Sequence, residues 1–404
     1  MSTFPAAIIY VQGLYIAVNV AFIVRIFFAL RGPGIPWAAR IGICLLAVAL
    51  SLTFPIARGL DGNEPWIREI TVVGFFWFAF MYHALLAWAL LTVFRLFNWR
   101  FRWLVIAKED RVRWRHRSCA GIAAASLVMC AAGWINSQFP VVREVKLPAP
   151  EGVAPLRIVA LSDLHLGRLA STRFFFDVVR RVEPLSPDIV LFLGDILEHD
   201  YDPFVTPVMA TILQQLEPRL GIWGVMGNHE YIKGRGELNR EVLNEMGIRT
   251  LIDQWALLGE KPGEKILLIG RRDRSMGRKH ISDVIANVPE KDRDALKILL
   301  DHQPDLNWGA LKVLPDAPPN LKRAEDEGIY LQLSGHTHRG QFFPVNFIVS
   351  ILFENAYGYE KRGQTHFWAT SGVGAWGPRV RLTGRPEILM IDLVPQPGAQ
   401  LQTQ

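Results

Sequence analysis

Cysteine is scarce in this 404-residue chain, and its three copies, Cys44, Cys119 and Cys130, all fall before residue 140. The long remainder therefore has no disulfide framework and offers no thiolate to a metal. A cysteine-free segment suits an oxidising compartment without demonstrating one. Acidic residues are scarce in the same first third: residues 1–140 hold 5 Asp/Glu against 13 Lys/Arg, a net +8, leaving 31 basic against 33 acidic residues beyond. The formal charge of +6 is thus an arginine excess beside apolar runs, which argues against a nucleic-acid partner. With 50% hydrophobic and 20% charged residues and no low-complexity tract or internal repeat, disorder and collagen-like architecture are excluded.

Long apolar runs are present instead. Residues 6–24, 41–57, 70–94 and 119–138 carry no formal charge, and each approaches the roughly 20 residues that cross a bilayer. Eight of the thirteen tryptophans lie in this region, with Trp37, Trp66, Trp99, Trp103 and Trp134 near run ends, where an amphipathic indole suits the interface. The beginning of the chain has no basic stretch ahead of its first run, so a cleaved signal peptide is not expected and the chain should stay anchored.

Loop charges set the expected orientation. Arg25, Arg31 and Arg40 flank the first connection, and eight Lys/Arg lie between Arg95 and Arg117, so these two connections should be cytoplasmic. Four spans then place everything after about residue 139 outside the cytoplasm. The 95–117 segment reads as a positive-inside retention signal or, alternatively, as an amphipathic helix on an anionic leaflet. His83 is an ionisable group inside the third run; a satisfied interhelical hydrogen bond is the plainer reading, a functional site the sharper one.

After a proline-rich stretch around 147–155, short β-branched apolar runs recur at 156–161, 188–193, 221–226, 265–270, 296–300 and 329–334. Helix-like stretches at 173–182, 207–216 and 237–246 stand between several of them, which indicates an α/β domain with helices on both faces of its sheet. The expected division is a membrane domain at 1–140, a linker at 141–155, the α/β domain at 156–397 and a tail at 398–404.

Five of the strand-like runs end in polar clusters: Asp163 to His165, Gly194-Asp195, Gly227 to Glu230, Asp301-His302 and Gly335 to His338. Sites in open α/β sheets assemble at the carboxyl ends of strands. Carboxylate and imidazole together suit a hard to borderline divalent ion of the Mn, Zn or Fe type. Asp163, His165, Asp195, Asn228, His302, His336 and His338 are seven candidate donors, too many for one ion with open positions. Two ions sharing a carboxylate fit, the arrangement used for phosphate ester hydrolysis. The glycines before Asp195, Asn228 and His336 allow close turns there. Asp301 is not expected to be a ligand, and His116, His199, His280 and His366 read as surface or structural. The cluster Arg271-Arg272-Asp273-Arg274 is a candidate anion site, with a solvated loop the plainer reading.

In order and spacing these blocks resemble the calcineurin-like metallophosphoesterase family, whose pattern DxH, GDxx(D), GNH(D/E), H and GHxH is matched by Asp163 to His165, Gly194 to Glu198, Gly227 to Glu230, His302 and Gly335 to His338. The later blocks Gly335 to Gln341, Tyr357 to Tyr359, Trp376 to Pro378 and Arg385 to Ile388 look like its membrane-attached members. The resemblance covers roughly residues 155–395 and implies a layered α/β/β/α sandwich beside the N-terminal α-helical transmembrane bundle. It also implies two divalent metal ions, the first held by Asp163, His165, Asp195 and His338 and the second by Asp195, Asn228, His302 and His336, with Asp195 as the bridge. His229 matches the histidine that, in the family, faces substrate and either protonates the leaving oxygen or stabilises the phosphorane-like charge.

Glu198 stands where the family often has Asp, touching only the orientation of the ligands, and Arg339 replaces a common Gly. Arg339 is a candidate contact for a phosphate or head group, with a solvent-facing role the equal alternative. The expected activity is hydrolysis of phosphate mono- or diesters at a bilayer by metal-activated hydroxide, with a lipid-linked ester as the candidate substrate. The alternatives are a UDP-linked acylated glucosamine pyrophosphate hydrolase and a non-catalytic metal-binding scaffold. Residues 342–353 (FFPVNFIVSILF) are too apolar for a free loop: they dock on the bilayer or line a lipid channel, or else belong to the core.

Overall fold

Four helices open the chain: α1 (Phe4–Ala29), α2 (Trp37–Gly59), α3 (Pro65–Phe101) and α4 (Arg111–Ser137). The computed structural model describes residues 4–60, 62, 64–261, 263–307 and 324–395, with side chains from residue 12 onward, so the expected tail at 398–404 lies outside the described residues. All four helices are long and apolar enough to cross a membrane, with mean hydropathies between 1.7 and 2.0. The 37 residues of α3 span about 55 Å at 1.5 Å per residue, well beyond a hydrocarbon core of about 30 Å. Phe22, Ala47, Trp77, Met81, Ala84 and Trp88 bury one another in this unit, while Leu14, Leu45, Leu90 and Val128 stay exposed, the inside-out pattern of helices solvated by lipid.

One expectation about these helices changes and one holds. Residues 95–117 do not form an amphipathic helix: 95–101 complete α3, 102–110 leave the helical conformation from the left-handed Arg102, and 111–117 open α4. His83 Nδ1 meets the Ala79 carbonyl of its own helix at 2.7 Å and Cys130 Sγ of α4 at 4.0 Å, so the expected interhelical bond stands beside an intrahelical one.

Contacts divide the chain into two compact units, Met1–Ile135 with Gly377–Val380, and Asn136–Trp376 with the chain from Arg381 onward. The second unit contains β1 (Val141–Pro148), β2 (Leu156–Leu161), α5 (Thr172–Val182), β3 (Ile189–Phe192), α6 (Thr206–Leu213), β4 (Ile222–Gly224), α7 (Gly236–Glu245) and β5 (Arg249–Thr250). It continues with β6 (Gln254–Leu258), β7 (Ile266–Gly270), α8 (Ile281–Ile285), β8 (Leu296–Leu300), β9 (Leu331–Ser334), α9 (Val345–Leu352), β10 (Gly358–Arg362), β11 (Thr365–Ala369) and β12 (Glu387–Val394).

These strands form two six-stranded mixed sheets, in the orders β1-β12-β2-β3-β4-β5 and β10-β11-β9-β8-β7-β6. Central strands β2, β3 and β4 run parallel, as do β7, β8, β9 and β11. Such strands are covered on both faces and so read as unbroken apolar runs. Alternation decides which layer each side chain enters. Ile158, Ala160, Leu191 and Leu193 pack inward against Leu268, Ile298, Leu300, Leu331 and Leu333 of the second sheet. Their neighbours Val159, Leu161, Val190 and Phe192 face outward onto Phe175, Val178 and Val179 of α5, Leu213 of α6 and Leu243 of α7. Leu267, Ile269 and Leu299 meet Ile281 and Val284 of α8 on the far side. The layers are therefore α/β/β/α.

The expected linker at 141–155 is corrected in its first half. Val141–Pro148 pairs in parallel with β12 over all eight residues, and Leu147 is buried in the core between the sheets. The polar residues Arg143, Glu144 and Lys146 disguised this edge strand, since an edge tolerates exposed charge.

Candidate metal centre

Five chain segments leave the carboxyl ends of β2, β3, β4, β8 and β9 and turn at once, bringing the expected residues together. Nitrogen and carboxylate oxygen atoms of three triads converge, each within 4.8 Å: Asp163/His165/His338, His165/Asp195/His229 and Asp195/His302/His336. His165 and Asp195 are each shared by two triads, so the groups form one continuous cluster. Asp163, His165, Asp195, His302 and His338 are buried.

The backbone here is strained in a consistent way. Asp163, His165, Asp195, His336 and His338 all adopt left-handed conformations, with φ between 48° and 69°. Non-glycine residues take this region reluctantly, and such outliers gather at functional sites. Glycine permits the close approach: a Cβ on Gly335 would lie 2.5 Å from Asp163 Oδ2, and one on Gly194 would lie 2.6 Å from both the Gly227 amide and His302 Nδ1.

Hydrogen bonds fix which nitrogen each imidazole presents. His302 Nδ1 pairs with the Leu193 carbonyl at 2.7 Å, leaving Nε2 toward the cluster, 3.2 Å from Asp195 Oδ2. His165 Nδ1 donates to Glu198 Oε1 at 2.8 Å, and its Nε2 faces His338 Nε2 at 3.0 Å. His229 Nδ1 also donates to Glu198, at 3.1 Å, leaving its Nε2 4.0 Å from Asp195 Oδ2. Glu198 takes His199 Nδ1 as well, at 3.3 Å.

Electrostatics sort the histidines by charge. Burial drives His336 down to about 3 and, with His165 adding repulsion, holds His338 well below the ordinary imidazole range, so both are neutral. Burial opposes charging His229, but Asp195 and Glu198 outweigh it and push it up to about 9. Burial likewise opposes ionised Asp195, yet His302 and His229 hold its pKa well below the ordinary carboxylate range.

The donor set fits divalent ions. Carboxylates and the neutral imidazoles of His336 and His338 meet in a buried cluster, and the buried atoms Asn228 Oδ1 and His338 Nδ1 have no hydrogen-bond partner among the described residues. Burying such acceptors unsatisfied is costly, and a cation removes the cost.

Sequence reasoning undervalued three residues. Glu198 does act on ligand orientation, but it holds His229 as well as His165. Glu230 is fully buried and accepts from the amides of Asp195, Ile196, Leu197 and Gly227, locking two of the motif turns together; its place in the Gly227 to Glu230 block was the available signal. Arg381, also fully buried, donates to the carbonyls of Ser371, Gly372, Gly374 and His338. No sequence pattern marked it.

The Arg271–Arg274 segment is not a solvated loop: Arg271 is buried, bonded to Asp301 at 3.1 Å and to the Lys279 carbonyl at 2.9 Å. Asp301 answers Arg278 too, at 2.5 Å, an ion-pair role instead of a ligand one. Arg339 is exposed and lies over the Tyr357 ring at 4.4 Å.

Comparison with known proteins follows the same lines. Residues 156–340 match the family model described as calcineurin-like phosphoesterase. A transmembrane protein with metallophosphoesterase domain from zebrafish, Danio rerio, is 33% identical over 66% of this chain and 60% of its own length. A metallophosphoesterase of Campylobacter jejuni is 29% identical over 63% of each chain. Escherichia coli phosphodiesterase YaeI is 27% identical over 70% of this chain and 99% of its own. The chain thus spans less than two thirds of the zebrafish and Campylobacter relatives.

Proposed function

We propose that this chain, whose residues 156–340 match the calcineurin-like phosphoesterase model, belongs to that family and is a membrane-anchored phosphodiesterase with a dinuclear metal centre. The observation that carries the proposal is the pair of shared residues: His165 and Asp195 join three triads into one cluster, which we read as two adjoining ion sites. Asp163, His165, Asp195 and His338 would hold one divalent ion and Asp195, Asn228, His302 and His336 the other, with Mn, Zn and Fe the candidates for this donor set. Bound there, the ions supply the Lewis acidity that lowers the pKa of water and offsets charge on a phosphoryl group.

The chain's own residues do the rest. Glu198 and the Leu193 carbonyl orient His165, His229 and His302, fixing which nitrogen each presents. His229 holds a proton at Nε2, with Nδ1 committed to Glu198, and delivers it to the leaving oxygen. Arg339 contacts a phosphate or head group in this reading. The name of the YaeI relative favours a diester, and the four apolar helices favour one carried by a lipid.

The arginines around the first and third helix connections support a cytoplasmic position for both, which would put the α/β domain outside the cytoplasm. That location disfavours a nucleotide-linked substrate, and the intact donor set disfavours a non-catalytic scaffold. Reporter fusions at residue 105 and at the carboxyl end should read inside and outside respectively; an inside carboxyl end overturns the topology.

The activity is tested with bis-p-nitrophenyl phosphate and p-nitrophenyl phosphate on the detergent-purified chain with Mn or Zn. Metal-dependent turnover that favours the diester and drops about 100-fold or more in His229→Ala is expected. Turnover unchanged by chelation or by that substitution would sink the proposal.

A further inference from the structure

The apolar segment 342–353 is neither free loop nor core. Its middle forms α9 (Val345–Leu352), in which no residue is buried. Phe347, Ile348 and Ile351 are between 53% and 57% exposed at the spacing of one helical face, and Phe343, 46% exposed just before the helix, sets its ring 5.8 Å from that of Phe347. The segment carries no charge, and its ends are anchored: Phe342 and Phe353 are buried, and the Asn307 amide bonds the Leu352 carbonyl at 2.8 Å. Gly340, at φ 76°, lets the turn after His338 run directly against Asn346, where a Cβ would collide with the helix backbone. Phe353 lies with its ring 5.8 Å from that of His336. This rigid apolar surface therefore begins and ends beside candidate metal ligands.

Two observations specify what covers it. First, only residues 138–140 separate the end of α4 from the start of β1, a tether that reaches at most roughly 14 Å when extended. A tether that short limits how far the unit can move from a bilayer crossed by α4. Second, a charge-free row of Phe and Ile suits the acyl boundary better than a protein partner, whose interface would combine an apolar centre with a polar rim.

We propose that α9 inserts its Phe343/Phe347/Ile348/Ile351 face into the lipid bilayer, so that phosphoesters of lipid head groups reach the metal centre without leaving the membrane surface. The substrate half of this inference rests on the phosphodiesterase reading above; the docking half does not.

The test uses the full chain in phosphatidylcholine nanodiscs with the photo-crosslinking residue p-benzoylphenylalanine at position 347, an exposed aromatic already, or at the charged and exposed position 237. Lipid adducts at 347 and none at 237 are expected. Adducts at 347 to a peptide of the same chain or to a second copy, or equal lipid adducts at both positions, overturn docking. In parallel, Phe347→Ser/Ile351→Ser should hydrolyse bis-p-nitrophenyl phosphate at the unsubstituted rate. It should lose about tenfold toward the p-nitrophenyl ester of phosphatidic acid in phosphatidylcholine vesicles. An equal rate on vesicles overturns the delivery role. If the unsubstituted chain cleaves neither ester while 347 still captures lipid, the phosphodiesterase reading fails and the docking helix stands.

Discussion

At the residue scale, the cluster depends on side chains that never touch a substrate. Glu198 holds the Nδ1 atoms of His165 and His229 with one carboxylate, so its charge fixes both a candidate ligand and the proposed proton donor. Glu198→Gln keeps the shape but removes an anion that, with Asp195, keeps His229 protonated. Turnover should fall about 10- to 100-fold with metal content largely retained, measured as kcat beside metal analysis of the same sample. Gly335→Ala is the steric counterpart: its new Cβ would press on Ser162 and the Asp163 carboxylate. A loss of about 1–3 kcal/mol in stability is expected, together with weakened metal binding, read by thermal unfolding with and without Mn. The six carboxylate and imidazole candidates that the structure brings together were legible in the sequence because each follows an apolar run within a few residues. Arg381 was not, because its partners are backbone carbonyls and leave no side-chain signature.

At the scale of elements, legibility followed burial. β2 and β8 have the bounds that their apolar runs indicate, and β3, β4, β7 and β9 differ by a residue or two at their ends. These strands are covered on both faces, so composition alone marks them. β1 and β10 are edge strands with charged, alternating sequences, and β5 has only two residues. β12 is apolar, but no chemical cluster follows it to draw notice. The cost of misreading β1 is testable. A domain that starts at residue 156 would lose all eight pairs with β12 and the buried Leu147, whereas one starting at residue 139 would keep them. The shorter fragment should be insoluble or melt many degrees lower, since it bares a long strand edge; equal melting temperatures would show that β1 contributes nothing.

At the scale of the whole molecule, acid should weaken the second unit independently of the metal centre. His366 is buried in β11 with its Nδ1 2.8 Å from the Tyr359 hydroxyl, and burial lowers its pKa from the ordinary imidazole value of 6.5. The unfolded chain therefore takes up a proton that the folded chain resists. The contribution to stability is complete above pH 6.5 and is lost as pH falls below it. Melting temperature measured between pH 7.5 and 5 should decline less steeply in His366→Gln than in the unsubstituted protein; parallel curves would refute the linkage.

The arrangement of helices and sheets gains its functional meaning from one claim, that the carboxyl ends of five strands build a centre for two ions around Asp195. Metal analysis of the full-length protein, purified, loaded with Mn or Zn and freed of excess, tests this most directly. The account predicts two ions per chain, retained in His229→Ala and reduced in Asp195→Asn because that substitution touches both positions. A folded, unsubstituted chain that holds one ion or none under these conditions would contradict it.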